Sequence, residues 1–193
     1  MKAVKSENGR CVMSAVSRYR IAAWAGVLCL FALAAVLFVR GMSGVRSVAA
    51  PLTVGAATVG QALPDARLLH LDGSSTALRS YVGRPLWINF FETWCAPCKA
   101  EAPQIVSRYD ALRGRGLVVL GIDEQEEPSQ VSAFAKRFHA GYSFAVDEGQ
   151  AAVIFRVHII PVSVFVDAAG TVRWIQIGQM TPNAMDSALA KIM

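Results

Sequence analysis

The stretch Leu86-Trp-Ile-Asn-Phe-Phe-Glu-Thr-Trp-Cys-Ala-Pro-Cys-Lys99 decides the fold of this 193-residue chain. Its first six residues are apolar at nearly every position, as expected of a strand that is buried on both faces. Good helix formers follow Cys95, and Pro97 suits an early helical position, where its missing N–H costs nothing. The sequence therefore predicts a buried strand that leads directly into a helix, with Cys95 and Cys98 in the first helical turn.

The spacing of Cys95 and Cys98 predicts thiol–disulfide chemistry. Two cysteines three residues apart in a helical turn can close a disulfide, and the first one lies among unpaired backbone N–H groups at the positive end of the helix dipole. Both effects favour a thiolate, which is the form that attacks disulfides. We therefore predict that Cys95, more exposed at the helix start, attacks the substrate, and that Cys98, more buried, resolves the mixed disulfide.

Two other interpretations of the cysteine pair stay open. A zinc site needs about four ligands, but Cys11 and Cys29 lie in or before an apolar span and the three histidines are scattered. We therefore predict that the pair binds no metal. A structural disulfide that never turns over is the second alternative, although a staple closing so short a loop adds little stability.

The charge of the chain is divided unevenly. Residues 1–46 contain seven Lys and Arg residues and one acidic residue, whereas residues 47–193 contain twelve basic and thirteen acidic residues. The second part is near neutral, and no basic stripe indicates a nucleic-acid partner. The positive charge belongs instead to membrane topology.

An apolar span of nineteen residues, Ile21–Val39, follows the basic N-terminus. As a helix it measures roughly 28 Å, close to the ~30 Å hydrocarbon core of a bilayer. Basic residues are more numerous before the span than soon after it, which predicts a cytoplasmic N-terminus and an exported remainder. A signal peptide cleaved near Ser47-Val-Ala49 is the alternative, but the span exceeds the ~7–15 apolar residues of such a peptide.

These observations predict four parts of the chain: a cytoplasmic N-terminus (residues 1–20), a transmembrane anchor (21–39), a linker (40–60) and a folded domain (61–193). Within the domain, strand and helix patterns alternate and end in a hairpin and a helix, Thr181–Ile192. This order indicates α/β layers.

The string Asn89-Phe-x-x-Thr-Trp-Cys-x-Pro-Cys-x-x-Glu101, with Pro103 after it, resembles the thioredoxin superfamily. In particular it is similar to the membrane-anchored thiol–disulfide oxidoreductases of the TlpA/ResA type, which are related to the CcmG/DsbE type. A second match over Val157–Asp167 extends the resemblance to about residues 63–193. The resemblance implies a thioredoxin-like α/β fold with a central inserted strand–helix segment.

The resemblance also implies roles near the second match. The proline at the position of Pro161 is cis in the family and faces the disulfide. The backbone of the preceding residue, Ile160 here, pairs with the bound substrate peptide like an added strand. Many relatives have Thr at this position, so Ile160 changes the polarity that the substrate meets.

Glu101 is the candidate for proton transfer. It lies three residues after Cys98, so a helix places it one turn on and on the same side. A desolvated carboxylate there could exchange a proton with Cys98, and the resembled family has a glutamate tied to the active site at this position. Asn89 stands where cytoplasmic thioredoxins carry a buried aspartate, and it cannot take that role. A solvated surface glutamate is the alternative for Glu101.

Two further side chains of the motif have predicted positions. We predict that Trp94 packs beside the disulfide and shapes the substrate surface, with a purely structural role as the alternative. Most relatives have a small residue at the position of Glu92. If Glu92 faced Cys95, its charge would raise the pKa of that thiol, and we predict instead that it points to solvent.

The sequence predicts an enzyme that reduces protein disulfides, with the Cys95–Cys98 disulfide as its redox group and no other cofactor. Ala96 and Pro97 offer no side chain that would stabilise the reduced thiolate, which favours a low reduction potential. The family analogy implies a membrane electron donor of the DsbD or CcdA kind and suggests apocytochrome c as one substrate. A disulfide oxidase or isomerase on the same fold and a membrane-tethered binding module are the alternatives.

Overall fold

The computed structural model describes residues 57–147 and 149–193. The predicted cytoplasmic N-terminus, the transmembrane anchor and most of the linker lie outside these residues. In the part that is described, no helix is both long enough and apolar enough to cross a membrane.

The described elements follow the predicted order of strands and helices. The strands are β1 (Arg67–His70), β2 (Ser75–Ala77), β3 (Leu86–Phe91), β4 (Val118–Asp123), β5 (Ser143–Val146), β6 (Val162–Val166) and β7 (Val172–Ile177). The α-helices are α1 (Ala96–Leu112), α2 (Pro128–Arg137), α3 (Gln150–Phe155) and α4 (Pro182–Leu189). Short 3₁₀ turns lie at Leu78–Tyr81 and Arg113–Arg115.

The strands of the described residues form one mixed sheet in the order β2-β1-β5-β4-β3-β6-β7. The central strand β3 pairs parallel with β4 and antiparallel with β6. β4 also pairs parallel with β5, so the ends of β3, β4 and β5 meet at the same edge of the sheet. The segments that follow these strands, including the one that contains Cys95 and Cys98, therefore lie at this edge. This arrangement is the predicted thioredoxin-like α/β fold.

The helices begin where their sequences provide a cap. Cys95 caps α1, and Thr181 caps α4, where its hydroxyl accepts a hydrogen bond from the N–H of Ala184 at 3.3 Å. A capping box formed by Glu127 and Gln130 starts α2. Side chains at these positions satisfy backbone N–H groups that have no partner inside the helix.

Two apolar cores lie on the two faces of the sheet, and β3 contributes to both. Leu86, Ile88 and Phe90 belong to the core shared with α3, whereas Trp87 and Phe91 belong to the core shared with α1, α2 and α4. Successive side chains of a strand point to opposite faces, so an uninterrupted apolar run fills both cores. Cys95 and Cys98 are part of the second core.

Candidate active site at the Cys95–Cys98 disulfide

Cys95 and Cys98 are joined by a disulfide at the start of α1, with their Cα atoms 5.3 Å apart. Cys95 is the N-cap residue, and its Sγ accepts a hydrogen bond from the N–H of Cys98 at 3.2 Å. The first N–H groups of a helix have no carbonyl partner and carry partial positive charge. After reduction, the same N–H would stabilise a thiolate on Cys95.

The two cysteines, of which Cys95 was predicted to be the more exposed, differ very little in exposure in the disulfide form. Cys95 is 4% exposed and Cys98 is 3% exposed, so both sulfurs are buried in the disulfide form. The reason is that both side chains pack into the core beneath α1. The exposed surface comes from neighbouring residues, above all Trp94, which is 67% exposed.

Strand pairing brings the proline loop to the motif. The peptide bond between Ile160 and Pro161 is cis, as the resemblance implied. Phe90 of β3 pairs with Val162 of β6, so Pro161 lies beside the end of β3, from which the motif emerges. Ile160 is partly buried and packs against the core that contains both cysteines. The neighbouring residue in this loop, Ile159, has 61% of its surface exposed.

Glu101 is buried, with only 2% of its surface exposed, so the surface alternative is wrong. Its Oε1 accepts a hydrogen bond from the backbone N–H of Met180, and its Oε2 has no hydrogen-bond partner. Burial raises the pKa of Glu101 to about 7, although the hydrogen bond from Met180 opposes the shift. A carboxyl group with this pKa can hold or release a proton near neutral pH, which is the property required of a general acid or base.

Asn89 forms a hydrogen bond beneath the site. Its Nδ2 donates to Ser163 Oγ at 3.3 Å, and Trp87 Nε1 donates to the same oxygen at 2.9 Å. Both donors are buried, and Ser163 on β6 provides the acceptor that they need. These contacts join β3 to β6 directly behind the motif.

The prediction that Glu92 points to solvent is also wrong. Glu92 is 8% exposed, and one of its carboxylate oxygens lies within 4.8 Å of oxygens from Asp123 and Glu126. Burial, then the charge of Asp123 and a hydrogen bond with Glu126, raises the pKa of Glu92 to about 8. Glu92 is therefore largely uncharged at neutral pH and does not place a full negative charge beside the attacking cysteine.

Asp123 and Glu126 are site residues that the sequence reasoning missed. Burial raises the pKa of Asp123 to about 7. Burial also favours the neutral form of Glu126, but hydrogen bonds from Thr93 outweigh it and lower its pKa. The acidic loop after β4 could have indicated them. β3 and β4 are parallel neighbours and Phe91 pairs with Asp123, so this loop lies beside the segment that follows β3.

In the part of the chain that the structure describes, no third acidic, histidine or cysteine side chain joins Cys95 and Cys98 in a group compact enough to enclose an ion. Within residues 57–147 and 149–193, the one group of acidic, histidine or cysteine side chains compact enough to enclose an ion is Glu92, Asp123 and Glu126. This group contains neither cysteine, and its carboxyl groups hydrogen-bond one another.

Comparison with known proteins agrees with the fold and the disulfide. The sequence model of the AhpC/TSA family matches residues 59–175. The thiol-disulfide oxidoreductase ResA of Geobacillus kaustophilus is 30% identical over 138 residues, which cover 71% of this chain and 79% of that protein.

Two solved structures from Chlorobium tepidum are also similar to this chain. One is a candidate thiol:disulfide interchange protein DsbE, with a TM-score of 0.65 and 22% identity over 72% of this chain and 100% of that chain. The other is a thiol:disulfide interchange protein of the thioredoxin family, with a TM-score of 0.62 and 25% identity over 71% of this chain and 99% of that chain.

The fold and the disulfide define a thioredoxin-like enzyme that works through a cysteine pair. The chain belongs to the AhpC/TSA family of the thioredoxin superfamily, within its TlpA/ResA-like members. It is a thiol–disulfide oxidoreductase, and its relatives imply protein disulfides as substrates.

Proposed function

We propose that this protein is a membrane-anchored, extracytoplasmic reductase of protein disulfides, with Cys95 as the attacking residue and Cys98 as the resolving residue. The observation that carries the proposal is the Cys95–Cys98 disulfide at a helix N-terminus, followed one turn later by the buried carboxyl of Glu101. Trp94, Ile160 and Pro161 form the substrate-binding surface around it.

The exchange proceeds in two steps from the reduced enzyme. The Cys95 thiolate attacks one sulfur of the substrate disulfide, and the other substrate sulfur leaves as a thiolate that takes a proton from solvent. Cys98 then gives its proton to Glu101 and attacks Cys95 Sγ, which releases the second substrate sulfur as a thiolate. This thiolate takes up the proton that Glu101 received, directly or through solvent. The substrate gains two electrons and two protons, and the enzyme ends as the Cys95–Cys98 disulfide.

The direction of transfer is supported by the two residues between the cysteines. Ala96 and Pro97 carry no polar or charged group that would stabilise the reduced Cys95 thiolate over the disulfide. A less stable thiolate makes the dithiol a better reductant. An exported reductant works in oxidising surroundings, so a membrane dithiol donor of the DsbD or CcdA kind must restore its thiols.

The membrane anchor is supported by the sequence of the N-terminal part. Ile21–Val39 is uncharged and is bounded by Arg20 and Arg40, and basic residues dominate the side that precedes it. This asymmetry favours a cytoplasmic N-terminus and an exported thioredoxin-like domain. For an exported reductase of this family, apocytochrome c is a fitting substrate because its cysteines must be reduced before haem attachment.

The deciding experiment is the reduction potential of the Cys95–Cys98 pair in the detergent-solubilised full chain, equilibrated against glutathione or dithiothreitol. We expect a value below roughly −230 mV, as for reducing thioredoxins. A value above roughly −180 mV would contradict the reductase assignment and indicate an oxidase or isomerase.

The roles of the cysteines are tested by single substitutions. Cys98→Ser should accumulate a mixed disulfide between Cys95 and a protein substrate such as insulin, seen on a non-reducing gel, because the resolving thiol is missing. Cys95→Ser should give no such adduct and no turnover. A Cys95→Ser variant that reduced insulin at the wild-type rate would exclude this mechanism.

The cellular proposals need separate experiments. A fusion of alkaline phosphatase to the C-terminus should be active, and the intact chain with its N-terminal residues should be recovered from the membrane fraction. A deletion strain should lose c-type cytochromes, and an added thiol reductant should restore them. Normal cytochrome content in the deletion strain would remove apocytochrome c as the substrate.

A further inference from the structure

A cluster of three carboxyl groups lies beside the redox motif, and the proposed exchange does not use it. Glu92 follows β3, whereas Asp123 and Glu126 come from the end of β4 and the loop before α2. One oxygen of each carboxyl lies within 4.8 Å of the other two. Three negative charges at this distance would repel one another strongly away from water. The cluster therefore has to limit its charge.

Glu126 connects the cluster to the turn that precedes Cys95. Its two carboxylate oxygens accept hydrogen bonds from the backbone N–H of Thr93 and, at 2.7 Å, from the Thr93 hydroxyl. The turn is closed by the N–H of Cys95, which donates to the carbonyl of Glu92 at 3.2 Å. Thr93 and Trp94 are thus its central residues, and the position of Cys95 depends on both.

Trp94 is held by a different side chain. Its carbonyl accepts a hydrogen bond from the ammonium group of Lys99 at 3.2 Å. One acidic side chain therefore holds the first central residue, Thr93, and one basic side chain holds the second. Lys99 lies in the first turns of α1 and belongs to the motif itself. Of these two contacts, only the one from Glu126 therefore comes from outside the motif.

The hydrogen-bond pattern shows which carboxyl carries the charge. Glu126 accepts from Thr93 and also from the side chain of Gln130 at 3.4 Å, as expected of an ionised acceptor. Asp123 Oδ1 accepts from the N–H groups of Gln125 and Glu126, at 3.2 and 2.7 Å. Asp123 Oδ2, in a residue with 0% exposure, is shielded from solvent and accepts no hydrogen bond from an N–H or hydroxyl group. A buried oxygen without a donor favours the protonated carboxyl.

Other charged groups around the cluster do not neutralise it. Glu124 adds a further acidic group beside Glu92. Asp147, after β5, and His158, before the proline loop, face Glu124. Lys99 lines the same shallow groove as Thr93. In the described part of the chain, no ion pair involves a carboxyl of the cluster.

We propose that Glu126 is a positioning residue for Cys95 and that the protonation of Glu92 controls it. While Glu92 is neutral, ionised Glu126 holds Thr93. When Glu92 ionises, the turn that presents the attacking sulfur loosens. The proposal rests on the proposed role of Cys95. Since the pKa of Glu92 is raised to about 8, the turn is held at neutral pH and loosens under alkaline conditions.

The first test compares Glu92→Gln with wild type by the rate at which iodoacetamide alkylates Cys95. The full chain is used in detergent with Cys98→Ser in both proteins, from about pH 6 to about pH 9.5, on either side of the Glu92 pKa. Gln is an uncharged isostere of the protonated carboxyl. We expect equal rates at the acidic end and a severalfold faster variant above about pH 8. A ratio that does not change with pH would overturn the role of Glu92.

The second test measures the rate of insulin reduction in single turnover. Glu126→Gln should be roughly tenfold slower, because it loses the charge that holds Thr93 while its size is kept. The matched control is Asp110→Asn, an exposed acidic residue on α1 outside the cluster, which should equal wild type. A Glu126→Gln rate equal to wild type would overturn the positioning role.

A pair of substitutions at Thr93 covers the case in which Glu126→Gln fails to fold. Thr93→Ser keeps the hydroxyl donor and should retain the wild-type rate, whereas Thr93→Val keeps the shape and should be slower. Equal rates for Ser and Val would contradict the proposal. Alkylation measures the reactivity of Cys95 whatever the physiological substrate is. If the wild-type protein did not reduce insulin, the proposed function would be contradicted, but the alkylation result could still be interpreted.

Discussion

The carboxylate of Glu101 accepts a hydrogen bond from the backbone N–H of Met180, a residue 79 positions further along the chain. The contact fixes the carboxyl one helical turn beyond Cys98 and couples α1 to the segment just before α4. The second oxygen of Glu101 is buried without a partner. One satisfied and one free oxygen is a suitable arrangement for a group that takes up and returns a proton.

Glu101 should make the stability of the protein depend on pH. The pKa of Glu101 rises from an ordinary 4.5 to about 7 in the folded state, mainly through burial. Between these values the unfolded chain releases the proton while the folded protein keeps it, so the free energy of unfolding falls as pH rises through this window.

Glu101→Gln should remove this slope. Relative to wild type, its free energy of unfolding in urea should therefore increase from about pH 4.5 to about pH 7 and change little beyond. The exposed Asp110→Asn variant on the same helix is the control and should follow the wild-type curve. Parallel curves for Glu101→Gln and wild type would show that Glu101 has the same pKa in the folded and unfolded states, which would contradict the prediction.

The same Glu101→Gln variant should exchange disulfides more slowly. Gln cannot accept the Cys98 proton, so resolution of the mixed disulfide should lose the roughly hundredfold effect typical of general base catalysis. The measurement is the single-turnover rate of insulin reduction against pH, together with circular dichroism to confirm the fold. An unchanged rate and an unchanged titration of Cys98 would remove Glu101 from the mechanism.

Ile160 should determine how well apolar substrate segments bind. It is partly buried against the core that contains both cysteines and precedes cis Pro161. Ile160→Asp should raise KM for a disulfide peptide with apolar flanks roughly tenfold, because apolar contact area is lost and a charge is introduced. Ile177→Asp, 63% exposed on β7, is the matched control and should leave KM unchanged. Equal KM values for the two variants would contradict the prediction.

Gly121 should be required by packing in the second core. A Cβ at Gly121 would lie 2.7 Å from Phe144 Cδ1, which is closer than Cβ atoms approach other heavy atoms, and 3.2 Å from Phe91 Cε1, which is a tight contact. Gly121→Ala should therefore lower the free energy of unfolding by about 1–3 kcal/mol. Gly114→Ala is the control, since a Cβ there meets nothing within 4 Å. The measurement is the midpoint of urea unfolding for each variant. Equal stability of Gly121→Ala and Gly114→Ala would show that Phe144 can move aside and would contradict the prediction.

Most elements of the fold could be predicted from local sequence. β3 was recognised as buried on both faces because six consecutive residues, Leu86–Phe91, have large or apolar side chains, apart from Asn89. The last helix, predicted to start at Thr181, has Thr181 as its N-cap residue in the structure. The cis bond before Pro161 came from resemblance, since most X–Pro bonds are trans.

The candidate site was predicted less completely. The spacing of Cys95 and Cys98 predicted their disulfide, because residues three apart in one helical turn are neighbours whatever the rest of the chain does. The directions of side chains were harder: Glu92 was placed in solvent, and Cys95 was expected to be more exposed than Cys98. In the structure Glu92 is buried and the two cysteines are almost equally buried, because burial depends on elements that pack over the motif from elsewhere in the chain.

The sequence by itself thus determined the redox chemistry, the thioredoxin-like order of elements and the helix position of Glu101, all of which rest on contacts between residues near in sequence. Only the tertiary structure decided that Met180 holds Glu101 across 79 residues and that Glu126 holds Thr93 across 33. Such contacts depend on which strands become neighbours in the sheet. Placing β4 parallel to β3 brings an acidic loop against the motif, and this proximity is what keeps Glu92 buried and largely protonated.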